Sequence, residues 1–134
     1  MLQANLINGA ALAYIGDGAY ELKIRQHVIN KGITHPNQLH RASIKFVEAS
    51  GQALIMQRWI HQENFLTEEE IGYYKRGRNH KANTKAKNAS IGDYRQATGF
   101  EALMGWLYLS GQLDRFDQLI DSAISIIEGE YDAK

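Results

Sequence analysis

The chain has 134 residues, a length that suits a single domain spanning 1–134 and leaves little room for two separate cores. Its 15 Lys and Arg residues balance 15 Asp and Glu, which excludes a uniformly basic nucleic-acid coat and makes the distribution of charge the question. Hydrophobic residues at 44% suffice for a core, and the absence of Cys excludes disulfides, cysteine-ligated zinc and thiol catalysis.

A chain without thiols suits a reducing compartment, so a cytoplasmic location is expected. The opening residues, 1–9, lack the basic cluster and unbroken apolar run of a secretory signal. No stretch offers the ~20 apolar residues needed to cross a bilayer. In chain order, Leu6, Ala10, Ala13, Tyr14, Asp17, Tyr20, Ile24 and Val28 recur at helical intervals and predict one long helix from about Asn5 to Lys31. Gly16 and Gly18 flank Asp17 within it. Each costs up to about 1 kcal/mol relative to Ala inside a helix, so both are read as permitting close approach of another backbone.

Pro36 fits the first turn of a second helix carrying Leu39, Ile44, Phe46 and Val47. Gly51 is read as a break before a third segment, Gln52 to His61, with Ala53, Leu54, Met56, Trp59 and Ile60. Thr67 and Glu70 have capping-box spacing and open a fourth helix, predicted through Lys75. From Arg76 to Ser90 the periodicity vanishes, which predicts a loop. It returns from Ile91 or Asp93 to Leu109, stops at Gly111 and resumes from Leu113 to Ile127, with the last seven residues expected to fray. No strand-like alternation competes, so the fold class is all-α.

Asp17 and Glu101 stand inside stretches that otherwise read as buried helix, 11–22 and 100–109. A carboxylate in apolar surroundings costs roughly several kcal/mol unless a cation or hydrogen bonds compensate it. The two lie far apart in sequence, so a site using both must be assembled by helix packing, and a metal ion would supply the missing positive charge. Asp17 could equally be a buried hydrogen-bond acceptor at a kink, and Glu101 an acid favouring a helix dipole. Glu21 is one turn from Asp17 on the same face; it could meet a metal or pair with Lys23 or Arg25 at the surface.

The segment Ala13-Tyr-Ile-Gly-Asp-Gly-Ala-Tyr-Glu-Leu22 resembles the signature helix of the ribonuclease III catalytic domain. Ala97-Thr-Gly-Phe-Glu-Ala-Leu-Met-Gly-Trp-Leu-Tyr-Leu109 is similar to that family's second acidic helix, in the same order and at the same separation. The similarity runs from about Leu6 to Ile127. With no room for an appended double-stranded-RNA-binding domain, the chain resembles the short bacterial branch of the family.

This resemblance implies a ribonuclease III-like helical endonuclease, with Asp17 and Glu101 as catalytic and metal-binding residues. Larger members carry further acids four residues before the aspartate and three before the glutamate, where this chain has Ala13 and Thr98. The departure implies fewer protein ligands and more water around the metal, with Thr98 and Glu21 as outer contacts. The implied cofactor is Mg2+, with Mn2+ as a substitute, because a hard cation takes oxygen ligands and retains water. Hydrolysis would leave a 5′-phosphate and a 3′-hydroxyl. The implied substrate is double-stranded RNA, in particular the 23S ribosomal RNA precursor, with a ribosomal protein as a further partner. A homodimer is also implied, its two centres making staggered cuts, with Tyr14 projecting into the partner; a core role for Tyr14 stays open.

Lys75, Arg76, Arg78, Lys81, Lys85 and Lys87 concentrate positive charge before the second acidic segment and are the candidate RNA-binding residues. Asn79, Asn83, Thr84 and Asn88 could add sugar or phosphate contacts or satisfy the loop's own backbone, and a solvated cationic face is the plainer alternative. The C-terminal acids Asp114, Asp117, Asp121, Glu128, Glu130 and Asp132 disfavour phosphate binding there. His35 and His40 are poorly spaced for a shared metal, and Trp59 and Trp106 read as core. Two rivals to catalysis stay open: a noncatalytic RNA-binding homodimer in ribosome assembly, favoured by Ala13 and Thr98, and a purely structural helical partner.

Overall fold

The apolar run that holds Glu101 becomes a central helix, and the other helices pack around it. The computed structural model describes residues 3–80 and 90–132. Among these, a short 3-10 turn, Ala4–Leu6, precedes six α-helices: α1 (Gly9–Asn30), α2 (Pro36–Val47), α3 (Ala49–His61), α4 (Glu68–Arg78), α5 (Ile91–Leu109) and α6 (Leu113–Asp132). The described residues contain no strand, and the fold is all-α.

In α5, Ala97, Gly99, Phe100 and every residue from Ala102 to Leu107 are buried. A helix that is apolar all round belongs at the centre of a bundle. Here α1, α3 and α4 surround it. Small residues set the spacing: Gly16 lies on the Glu101 carbonyl and Gly105 on the Leu12 carbonyl, so a Cβ at either would overlap the facing main chain. Gly99 meets the Tyr74 ring, and Gly77 faces Ala102 and the Thr98 carbonyl, which brings α4 equally close. Gly18, expected to act like Gly16, faces open space; helical rotation turns it away from α5.

Aromatic contacts fill the rest of the core. Tyr20 meets Phe100 edge-on at 4.8 Å and its hydroxyl donates to the Phe46 carbonyl at 2.8 Å, tying α1 to α2 and α5. Trp59 lies 5.6 Å from Phe100, and its indole N–H donates to Ser122 at 2.9 Å. Trp106 stacks on Tyr73 at 4.2 Å. Both tryptophans are buried, as their helical spacing predicted.

Several boundaries differ from the periodicity. Helix α1 begins at Gly9 rather than Asn5, because the Asn8 side chain accepts the Ala11 amide at 2.9 Å and caps it there. The break between α2 and α3 is at Glu48, which has extended backbone. Gly51 lies inside α3, where it permits contact with the Lys45 carbonyl. The Thr67–Glu70 capping box forms as spaced, but α4 continues to Arg78. Last-turn cations suit the carbonyl end of a helix. Arg76 and Arg78 therefore sit on the helix with Lys75, not in a loop. Helix α6 does not fray after Ile127: Glu128 pairs with His27 at 2.9 Å and with Lys31, and Glu130 pairs with Arg58 at 2.9 Å, which holds the helix to Asp132. No helix among the described residues is long and apolar enough to cross a membrane.

Candidate active site

The packing that makes Gly16 indispensable also places the next residue, Asp17, at the edge of α5. Its carboxyl lies beside that of Glu101, close enough to act on its proton. Asp17 is exposed rather than buried, which corrects its reading as a core carboxylate; one step along α1 from a buried glycine the chain already faces solvent. Glu101 is half-buried on α5. Burial, then the hydrogen-bonding contact and charge of Asp17, push its carboxyl from the ordinary 4.5 up to about 9. The Gln52 amide acts in the opposite direction, and the charge of Glu21 adds a smaller upward push. Two acids this close cannot both ionise cheaply without a positive charge between them.

The neighbouring positions are quieter. Ala13 is buried in the core. Thr98 donates its hydroxyl hydrogen to the Tyr94 carbonyl of its own helix at 3.0 Å. Glu21 does pair with Arg25 at 3.2 Å, yet stays near enough to Glu101 for its charge to be felt. Tyr14 is 83% exposed, so the alternative of an intramolecular core role falls. Among the described residues no group of three or more His, Cys, Asp or Glu side chains is arranged to hold a metal.

The predicted RNA-binding cations divide. Lys75 is exposed on α4. Arg76 is engaged within the chain, donating to the Asn5 and Ile7 carbonyls at 3.0 and 3.2 Å while its guanidinium lies 4.6 Å from the Tyr73 ring centre. Arg78 lies over the Tyr74 ring at 5.5 Å and donates to Asn79 at 3.2 Å. Lys81, Lys85 and Lys87, with Asn83, Thr84 and Asn88, fall outside the described residues.

Two residues escaped the sequence reading. Arg95 joins Arg78, Asn79, His80, Gly92 and Gln96 around a cleft of about 440 Å³. Nothing in its local sequence marks it, since it reaches the α4 cations only through packing. Gln52 is 2% exposed, beside Glu101. Its signal was visible: it is the one polar side chain in the buried pattern Gly51, Gln52, Ala53, Ile55 and Met56 of α3.

Comparison with known proteins agrees with this geometry. The family described as Ribonuclease III domain matches residues 10–112. The chain is 47% identical to Mini-ribonuclease 3 of Streptococcus pneumoniae over 129 residues, covering 96% of this chain and all of that protein. It is 49% identical to Mini-ribonuclease 3 of Enterococcus faecalis over 128 residues, 96% of each. A crystal structure of a Fusobacterium nucleatum protein superposes with a TM-score of 0.79 at 31% identity, over 93% of this chain and 95% of that one. The all-helical fold around α5, the meeting of Asp17 with Glu101 and these full-length similarities lead to one conclusion: the chain belongs to the ribonuclease III domain family of endoribonucleases, in its Mini-ribonuclease 3 branch.

Proposed function

We propose that this chain is a Mg2+-dependent endoribonuclease that cuts double-stranded RNA, with residues 1–134 acting as a single catalytic domain. Asp17 and Glu101 are the catalytic, metal-holding pair, and the natural substrate is the 23S ribosomal RNA precursor. The observation that carries this reading is the meeting of these two carboxyls, contributed by distant stretches of the chain.

The donor set fits Mg2+: two hard carboxyl groups on one partly open surface suit a cation that is bound through one or two carboxylates and keeps most of its water. When bound, the cation supplies charge stabilisation at the scissile phosphate and eases formation of the attacking hydroxide. Asp17, exposed, can meet a phosphate approaching from solvent. Glu101, half-buried on α5, would give up its proton if a cation were held between it and Asp17. Glu21 adds negative charge one helical turn away, and Thr98 contributes no acid. The products are a 5′-phosphate and a 3′-hydroxyl.

Duplex RNA is recognised mainly through its shape and phosphate track, a task suited to Lys75, Arg78 and Arg95 with Lys81, Lys85 and Lys87. The exposed Tyr14 is assigned to the interface of a homodimer working in the cytoplasm, where a ribosomal protein would shape the precursor. A noncatalytic RNA-binding homodimer is the rival that Ala13 and Thr98 favour. Mapping both cut ends on a duplex precursor with and without Mg2+ separates the two. Staggered, Mg2+-dependent ends that vanish in Asp17→Asn and Glu101→Gln, with RNA binding retained, are expected. An unmodified chain that binds but never cuts would establish the rival.

A further inference from the structure

We propose that Gln52 is a positioning residue for Glu101: its side-chain amide holds one carboxyl oxygen so that the other is presented toward Asp17 and a divalent cation. This assignment rests on the catalytic reading above and extends it to a third helix.

Among the described residues only two polar side chains are fully buried, Gln52 and Glu70. Glu70 is satisfied, accepting from the Thr67 amide and from two nitrogens of Arg115. Gln52 Nε2 instead is the one buried side-chain nitrogen or oxygen among the described residues with no hydrogen bond. Buried polar groups are almost always paired, and the Glu101 carboxyl is the acceptor within reach, since the Gln52 amide already bears on its proton. A carboxylate can accept it, and the amide brings no charge of its own to compete for the cation.

The amide cannot retreat. Gly51 lies against the Lys45 carbonyl, where a Cβ would overlap, and Trp59 of α3 packs at 5.6 Å from Phe100, the residue before Glu101. Helix α3 is thereby wedged between α2 and α5, with Gln52 beside the acid. Packing alone would be served as well by Leu or Met, which leave no donor unmet. Partners that orient metal-binding side chains typically change metal affinity about 10- to 100-fold when removed.

The test uses the full chain and Gln52→Met, which keeps the length and removes the donor. Mn2+ binding is measured by calorimetry, duplex cleavage is titrated with Mg2+, and duplex affinity in chelator and melting temperature are recorded alongside. The expected result is Mn2+ affinity lower by about 10-fold or more and a matching rise in the Mg2+ needed for half-maximal cleavage, with chelator-phase RNA binding unmoved. Gln52→Asn, a shorter amide, is expected to lose less of both, and it carries the test should Gln52→Met fail to fold. Unchanged cation affinity and Mg2+ requirement in a folded variant overturn the assignment, whatever happens to melting. If the unmodified chain neither takes up Mn2+ nor cuts, the catalytic reading fails and this one with it. If it does both, and the variants match it, only the positioning role falls.

Discussion

Glu101 is folded against its own ionisation. Its carboxyl is raised from 4.5 to about 9, so between those values the folded chain keeps a proton that the unfolded chain has released. Stability should therefore fall as pH climbs through that window. In chelator at pH 8, Glu101→Gln is expected to melt at a higher temperature than the unmodified chain, with the gap closing toward pH 4. Thermal melts across pH check this, and identical curves at pH 8 would remove the argument for a conflicted carboxyl pair. Glu70 has the opposite sign. Burial pushes its carboxyl up, but hydrogen bonds from Arg115 and Thr67 and the Arg115 charge outweigh that and hold it below 4.5. Its contribution is present above 4.5 and lost as pH falls through the lowered value. Breaking this buried pair with Glu70→Ala is expected to cost about 3 kcal/mol near neutral pH, as read by urea unfolding, and less in acid.

Between helices, two glycines two residues apart make a controlled comparison. Gly16 has the Glu101 carbonyl against it, whereas nothing lies within 4 Å of a Cβ built on Gly18. Gly16→Ala must push α1 off α5, with an expected loss of about 1–3 kcal/mol and a weakened site, because Asp17 moves with the helix. Gly18→Ala fills open space inside a helix and is expected to add about 0.5–1 kcal/mol. Denaturant midpoints of the two variants should shift in opposite directions; a shared direction would mean that the helix contact is not set by backbone approach. Much at this scale was legible beforehand. The Thr67–Glu70 cap follows from local chemistry, in which a side chain meets an amide three residues away, and the same contact from Ser90 to Asp93 fixes the α5 start at Ile91, the earlier of the two positions that periodicity allowed. The end of α4 was less legible, because Gly77 reads as a breaker until the neighbouring α5 shows why it is a glycine.

Over the whole molecule, zero net charge conceals a separation. Lys75, Arg78 and Arg95 lie on α4 and the start of α5, while α6 carries Asp114, Asp117, Asp121, Glu128 and Glu130. Much of that acidity is used within the fold: Asp117 pairs with Lys23 at 3.2 Å, and Glu128 and Glu130 pair with α1 and α3. Neutralising Lys75, Arg78 and Arg95 together is expected to weaken duplex binding and flatten the dependence of log affinity on log salt by up to about three phosphate contacts. An unaltered slope in a filter-binding titration would show that these cations only solvate a face. Arg76→Ala belongs to a different class: its guanidinium holds the chain at Asn5 and Ile7, so its removal should loosen residues before α1 more than it changes the slope.

By itself the sequence determined the number and kind of helices, the pair of acids and the family resemblance, because periodicity, caps and motif residues act over a few positions. It left undecided that Asp17 faces solvent, that Gly18 is free while Gly16 is not, that Arg76 is spent on the fold and that Gln52 stands beside Glu101. Each of these depends on which face of one helix meets another, and only the packing of α1, α3 and α4 around α5 decides that. Burial, unsatisfied donors and opposed carboxyls are properties of contacts between distant segments, not of the segments themselves.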